Sequence, residues 1–596
     1  MYNISSYSTG NEFISLDNIN CKDASIKNLA LLHMESKGLL DFRGGKDGLF
    51  NFEIYSGGKK ININNIKWDL INYWIPKATI ESENEIIEIT ILTPLNHKGF
   101  AYNISIENKT RNNRSYEVIF KGSLESLYHC VNEEQYFNGT IGSFYSSWND
   151  GPVISISNGF PQVALSPFVS EETVWEYTKT PPITYFSKSK LDLSEKDKKD
   201  ISIFWGVGYE SVSSITAAKD MKRHTFSFLL EEMKTYLLSI IKETKNSDFN
   251  NLLNRNLLYT LFYSTGITVD SEERVIITSR SPKYYVSAAY WDRDSLLWAF
   301  PAIVNADKKV AKEIIEYITT KQSRNIGIHS RFIDGTVLEP GFELDELCSF
   351  IIALDYYIEK TKDKNILKDF KTINLINRIL DILETKKSKS LKLYETFLQP
   401  TDDMRVYPYL TYNNVLVWKL FKILEKWNFN DSKELFINKA EEVYYAINKN
   451  CIKTIEGKTQ FIWSIDENGN WDIYDEPPGS LILLPTFDFI SKENEIYKNT
   501  VNTILDESYE FSFKNTPFGA IGCPHAPHPW ILSLANSIRV FHDDESLNKL
   551  LKAKMDNGIA CESIDEYTGE VTTGHSFATC AGYLSFTLLG EISRFL

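Results

Sequence analysis

Two acidic clusters stand more than two hundred positions apart in this 596-residue chain. Glu343, Asp345 and Glu346 lie in EPGFELDELCSF, and Glu562 lies in GIACESIDEYTGEV. Asp345 opens the mostly apolar run LCSFIIALDYY, whose side chains would desolvate its carboxyl and raise its pKa, as a proton donor requires. Glu562 follows the small apolar run GIAC, which draws its carboxylate inward. A carboxylic acid and a carboxylate facing one pocket suffice to cleave a glycosidic bond without a cofactor. One protonates the leaving oxygen and the other activates a water; in the inverting geometry they stand about 6.5–9.5 Å apart. By type and setting, Asp345 is the acid, Glu562 the base and Glu343 a support. Plainer accounts stand beside these. Acidic residues in a first helical turn satisfy orphan amides and the helix dipole, which suits Glu346. Glu562 is equally suited to an ion pair with Arg293, Arg331 or Arg405, and Asp565 and Glu566 read as a solvated turn.

Further polar residues suit the binding of sugar hydroxyls. WDRDS holds Trp291, Arg293 and Asp294 at a helix entry, where Asp294 is as well placed for an N-cap. Arg331 and Arg405 carry paired donors. TDDMR supplies Asp402 and Asp403, TYNN supplies Tyr412 and Asn413, and YDEPPGS supplies Asp475 and Glu476. CPHAPHPW supplies His525, His528 and Trp530, and GHSF supplies His575, a ligand or a cap. Two histidines three apart hint at metal, but the prolines break the helix that would align them and no carboxylate stands at ligand spacing. No metal and no cofactor is expected.

These residues fall in loops, and the loops imply the scaffold. From 248 to the end about a dozen helical stretches alternate with short and long connections, the pattern of paired helices. The long connections are the ones with dense polar and aromatic text. Loops carry function when a rigid scaffold brings them together, and six helical hairpins in a closed ring, an (α/α)6 toroid, would do so. A solenoid would show a repeated side-chain signature, and none is seen. Residues 1–213 read as an antiparallel β-sandwich, with partly alternating segments such as ATIESENEIIEITILTPL, GFAYNISIEN and RSYEVIFKGSL. Residues 214–247 read as a linker helix between this multidomain chain's two halves.

Composition narrows the classes. A formal charge of −15 with no basic stripe argues against nucleic acid. No run reaches the roughly 18 apolar residues of a membrane span, and the first residues lack a signal-like pattern. Seven scattered cysteines without a CxxC suggest reduced thiols and a cytoplasmic setting. A homo-oligomer is left open.

Taken in chain order, WDRDS, FELDEL with its following Cys, and the late ACES resemble the family-125 glycoside hydrolases, the metal-independent exo-α-mannosidases. The resemblance runs through short motifs from 285 to 585. It implies an (α/α)6 toroid, inversion of configuration, an acid at Asp345 in an ELDSL-like motif and a base at Glu562 in an HES-like motif. The N-terminal β region departs from that family and looks more like bacterial glucoamylases and disaccharide phosphorylases of the same superfamily. ESIDEYTGEV is also similar to the trehalase and α-glucosidase I relatives. The expectation is an inverting, exo-acting α-glycosidase acting on an oligosaccharide or glycoside, with α-mannoside before α-glucoside. A phosphorylase would not need the carboxyl at 562, and a non-catalytic sugar-binding protein would need neither carboxyl.

Overall fold

The structure is a computed structural model that describes residues 5–63, 65–137, 139–157 and 162–596. The chain forms two compact units. One comprises residues 1–241 and 262–288, the other 242–261 and 289–596.

The first unit is built of antiparallel sheets. In the largest, the strands run in the order 140–146, 151–157, 163–169, 198–208, 99–108, 85–92, 75–81 and 67–71. The segments expected as strands pair as hairpins: 75–81 with 85–92, and 85–92 with 99–108. Ile183–Leu193 shows why the sequence folds so. Ile183, Tyr185, Ser187, Ser189, Leu191 and Leu193 are buried, while Thr184, Lys188, Lys190 and Asp192 face out. That period of two fixes the strand's face, since a one-residue slip would bury the lysines. Inward residues from all the large sheets, among them Phe42, Ile54, Ile104, Phe120 and Ile203, form one core.

The segment expected as a linker helix is two helices, α1 (Ser211–His224) and α2 (Phe226–Ile240), broken at Thr225, where φ is 67°. Both belong to the first unit through residue 241. Gly206 and Gly208 let α1 approach: a Cβ on Gly206 would stand 2.1 Å from the Ser214 carbonyl.

The second unit is helical. Its helices are α3 (Ser247–Tyr259), α4 (Phe300–Ala306), α5 (Lys308–Thr320), α6 (Leu344–Thr361), α7 (Phe370–Lys386), α8 (Thr411–Trp427), α9 (Lys433–Asn450), α10 (Glu495–Ile504), α11 (Ile531–Phe541), α12 (Asp544–Lys552) and α13 (Ala578–Glu591). A π-turn, Arg293–Ala299, leads into α4. The expected short turn near Ser480 is a 3₁₀ run, Leu481–Phe487. Pro477, Pro478 and Pro485 each remove a donor there, so no longer α-helix forms. Neighbour relations follow a cycle: 293–306 touches α6, α6 touches α8, α8 touches 481–487, that run touches α11, α11 touches α13, and α13 returns to 293–306. The other helices back these: α5 on α4, α7 on α6, α9 on α8, α10 on 481–487, α12 on α11 and α3 on α13. The backing helices are amphipathic, and all but α9 carry a side-chain N-cap. In α5, Val310, Ala311, Ile314, Ile315 and Ile318 are buried, and Asp307 accepts from the amides of Lys309 and Val310. α13 is apolar almost all round and buried. Its Gly582 permits close approach to the π-turn, since a Cβ there would lie 2.6 Å from the Ala299 Cα.

Candidate active site

The residues with chemistry gather at the N-terminal ends of the helices in that cycle. α6, α8, α11 and α13 lack a side-chain cap of their own. Glu346 does not cap its own helix as expected. Its carboxylate reaches across and accepts from the amide of Asp292, and from that of Arg293 at 2.9 Å. It thereby satisfies orphan donors of the π-turn.

Arg293 is the hub of the first half of the site. Its Nη1 donates to Glu343 Oε2 at 2.6 Å and to Asp345 Oδ2 at 3.0 Å, and its Nη2 donates to Asp402. Glu343 in turn contacts His329 Nδ1. Burial pushes the Glu343 carboxyl up to about 7 against the pull of Arg293. His329 is raised to about 10: burial works against its charge, and its carboxylate partners Glu339 and Glu343 outweigh it. The Trp291 indole nitrogen stands 3.4 Å from His329 Nδ1. His329, Glu343 and Asp402 lie close enough to share a cation, and the Arg293 guanidinium already donates to both carboxylates. Asp294 accepts from Thr579 Oγ1 at 3.1 Å and makes no cap bond; burial holds its carboxyl up at about 8.

The second half centres on His525. Its Nδ1 is 3.7 Å from Asp403 Oδ2, and its Nε2 is 3.7 Å from Glu562 Oε1. The nearby Asp403 carboxylate, with help from Glu562, raises the imidazole to about 9, and the imidazole holds the Asp403 carboxyl below its ordinary range. Glu562 is held from behind by Gly574, whose carbonyl accepts its amide at 3.3 Å. Gly574 has φ 64°, and a Cβ there would meet the Glu562 Cβ at 2.5 Å.

The two halves join in the loop 401–403. Thr401 binds Glu476, with its amide to Oε1 at 2.9 Å and its hydroxyl to Oε2 at 2.7 Å. Asp402 binds Arg293, and Asp403 faces His525. Asp402 has φ 68°, which turns consecutive carboxylates toward different partners. Burial raises Glu476 to about 8.

Accessibility separates the carboxyls. Asp345 is 0% exposed, with Oδ2 on Arg293 and a buried Oδ1 without a hydrogen-bond partner among the described residues. Burial raises its pKa as expected, but it raises it in a sealed place. Glu562 is 5% exposed, Asp402 32% and Asp403 47%.

Other expected residues are placed as follows. Arg331 is fully buried, bound to Asp292 and to the Gln322 carbonyl at 2.8 Å. Arg405 pairs with Asp472 and lies over the Tyr474 ring. With Arg293 committed to the Glu343 cluster, all three arginines hold carboxylates other than Glu562. Tyr412 is buried against Gly479 and Phe487. Asn413 is buried with neither side-chain polar atom hydrogen-bonded among the described residues. His528 turns to Glu566 at 3.0 Å, away from His525's partners. The Trp530 indole donates to the Ala526 carbonyl and its ring faces His525. His575 is exposed and outside the network among the described residues. Sequence reasoning did not single out His329, Thr401, Gly574 or Thr579. Of these, only Gly574, one residue before His575 in a polar loop, carried a local signal.

Residues 386–589 match the family model described as metal-independent alpha-mannosidase (GH125). The match includes Asp402, Asp403, Glu476, His525 and Glu562, and it begins after Asp345. No curated protein matches the chain by sequence. Among solved structures, the chain is similar to a metal-independent α-mannosidase of Streptococcus pneumoniae, solved in a non-productive complex with α-1,6-mannobiose. Identity is 17% and the TM-score 0.51, over 58% of this chain and 94% of that one. A bacterial glucoamylase complexed with acarbose is 12% identical with a TM-score of 0.63, over 100% of this chain and 95% of that one. A putative kojibiose phosphorylase from the human microbiome is 12% identical with a TM-score of 0.59, over 97% and 86%. The β-rich first unit followed by the helical second unit is therefore a fold shared with these solved structures, and the family pattern lies in the second unit. By that pattern the chain is a glycoside hydrolase, similar over residues 386–589 to the metal-independent α-mannosidases.

Proposed function

We propose that the chain is an inverting, exo-acting α-glycosidase, with α-mannosides as its substrates and no metal in the reaction. The cyclic neighbour order of 293–306, α6, α8, 481–487, α11 and α13 supports a closed six-hairpin toroid. Such a ring gathers its loops at one mouth and favours chain ends over mid-chain bonds. Glu562 is the general base. It lies in the family-matched segment, is nearly buried, and its Oε1 stands 3.7 Å from His525 Nε2.

For the general acid the geometry favours Asp403 over Asp345. A proton donor must be reached by the leaving oxygen, and Asp345 is sealed behind Arg293. Asp403 is open, and one imidazole with a 3.7 Å contact at each end separates it from Glu562. That span is on the order of the 6.5–9.5 Å of inverting pairs. The Asp403–His525 pair carries one proton, resting on the imidazole in the free protein. A bound sugar that excludes water disfavours the separated charges and returns the proton to Asp403, from which it passes to the leaving oxygen. Asp345 and Glu343 then serve as supports that hold Arg293, and through it Asp402.

The observation that carries this reading is the Asp403–His525–Glu562 array inside the segment that matches the α-mannosidase model. α-1,6-Mannobiose, aryl α-mannosides and aryl α-glucosides, followed by NMR with and without phosphate, test it. The expected product is β-mannose released first, at a rate indifferent to phosphate. A second reading, α-glucoside hydrolysis, is favoured by the glucoamylase likeness over the whole chain; release of glucose alone would establish it. Sugar 1-phosphate as product would overturn hydrolysis.

A further inference from the structure

The first unit brings two imidazoles and a carboxylate together. Asp220 and His224 stand four apart on α1, so they share one face of the helix. His97 comes from the connection between strands Glu85–Leu92 and Gly99–Asn108. His97 Nδ1 is 3.4 Å from Asp220 Oδ2, and His224 Nε2 is 3.8 Å from Asp220 Oδ1. One ligating atom from each of the three lies within 4.8 Å of the others.

We propose that His97, Asp220 and His224 form a binding site for a divalent transition-metal ion of the zinc class, structural in role and separate from the residues of hydrolysis. Two imidazoles and one carboxylate are borderline ligands that suit zinc, cobalt(II) or nickel(II) better than calcium or magnesium. Bonds of about 2.0–2.2 Å to one ion place neighbouring ligand atoms about 3.3 Å apart. The contacts of 3.4 and 3.8 Å run to the two different oxygens of Asp220, and the ligand atoms, within 4.8 Å of one another, would draw together around an ion. The ligands come from elements already held. The His97 carbonyl accepts from Asn11 Nδ2 at 2.9 Å and from the Gly99 amide at 3.0 Å. The His224 ring stacks on Phe228 with centroids 5.4 Å apart. Asp220 and His224 are about one-third exposed, which leaves a fourth position for water. An ion there ties α1 to the loop that joins two strands of the largest sheet.

A plain ion-pair cluster is the competing account, and Arg223 distinguishes the two. Its guanidinium donates to Asp220 Oδ1, the oxygen nearest His224, from an exposed side chain. It competes with an ion for that carboxylate. The full chain, stripped with a chelator and dialysed, is titrated with zinc and with cobalt(II) by calorimetry. One equivalent is expected to bind, His97→Gln and His224→Gln are each expected to weaken it at least about tenfold, and Arg223→Ala to tighten it. Zinc is expected to raise the melting temperature of the native chain and leave its turnover unchanged. Should a histidine variant fail to fold, the cobalt(II) form of the native chain decides through paramagnetically shifted ring resonances assigned to His97 and His224. Absence of saturable one-equivalent binding, equal affinity in both folded histidine variants, or shifted resonances from other histidines would each overturn the proposal. Because the readouts are binding and melting, failure here leaves the glycosidase reading untouched.

Discussion

Asp403 and Asp345 differ in what a proton donor needs most, which is contact. Leaving-group chemistry separates them. A dinitrophenyl glycoside departs without protonation, whereas a natural disaccharide needs it. Asp403→Asn is expected to slow disaccharide hydrolysis by roughly 10²–10⁴-fold and to spare most of the dinitrophenyl rate. Glu562→Gln is expected to slow both. Asp345→Asn is expected to lower stability more than it alters the leaving-group dependence, because it removes one of the charges that compensate buried Arg293. Steady-state rates on the two substrates check this, and a leaving-group effect confined to Asp345→Asn would return the acid role to that residue.

Glu476 gives a pH prediction at the same scale. Its carboxyl rises from about 4.5 to about 8 on burial. Below pH 4.5 both folded and unfolded chains are protonated there. Between 4.5 and 8 the unfolded chain ionises and the folded one does not, so stability falls as pH rises, by at most about 1.4 kcal/mol per pH unit. Glu476→Gln is expected to flatten that part of the slope in a melting-temperature series. Asp294, raised to about 8, and Asp475, raised to about 7, act in the same direction and leave a residual slope.

Among the elements, the hairpin that carries Glu562 is the sensitive one. Ser563–Ile564 pairs with Val571–Thr573, and Gly574 then turns back over the Glu562 side chain. Gly574→Ala adds a Cβ where φ is positive, at a cost of about 1–2 kcal/mol, and pushes on Glu562. Activity is expected to fall far more than melting temperature, with the alkaline and acidic limbs of the rate profile displaced together. Normal turnover in a folded Gly574→Ala variant would separate this turn from the base. The uncapped N-termini of α6, α8, α11 and α13 fit the same logic: their first turns meet loops that carry polar side chains, while α3, α5, α7, α10 and α12 take Asn or Asp caps.

At the scale of the whole molecule, the chain enters the second unit at 242, leaves it at 262 and re-enters at 289. A chain that starts at Lys242 would retain 262–288 without the unit to which that segment belongs, including the buried Tyr263, Val275, Ile276 and Arg280. It is expected to be insoluble or to melt well below the full chain, as solubility and scanning calorimetry would show. A well-folded, active shortened chain would mean that the β unit is dispensable.

Hydrophobic period was enough to read much of this from the chain alone. Alternation such as that of 183–193 shows a strand with one buried face, and the 3.6-residue spacing in α5 shows a helix with one apolar stripe. Both are local consequences of backbone geometry, so the β-to-helix order and the loops that carry polar text were visible. Late Glu562 stood out for the same reason, through the small apolar residues before it. What the chain alone did not reveal is which carboxyl water can reach. Apolar neighbours announce that Asp345 is desolvated, but they do not say whether the cover is substrate-sized space or another side chain, and here it is Arg293. The partnering of Asp402 and Asp403 with residues over a hundred positions away depends on contacts between elements. Such contacts leave no periodic trace in the sequence, and only packing decides them.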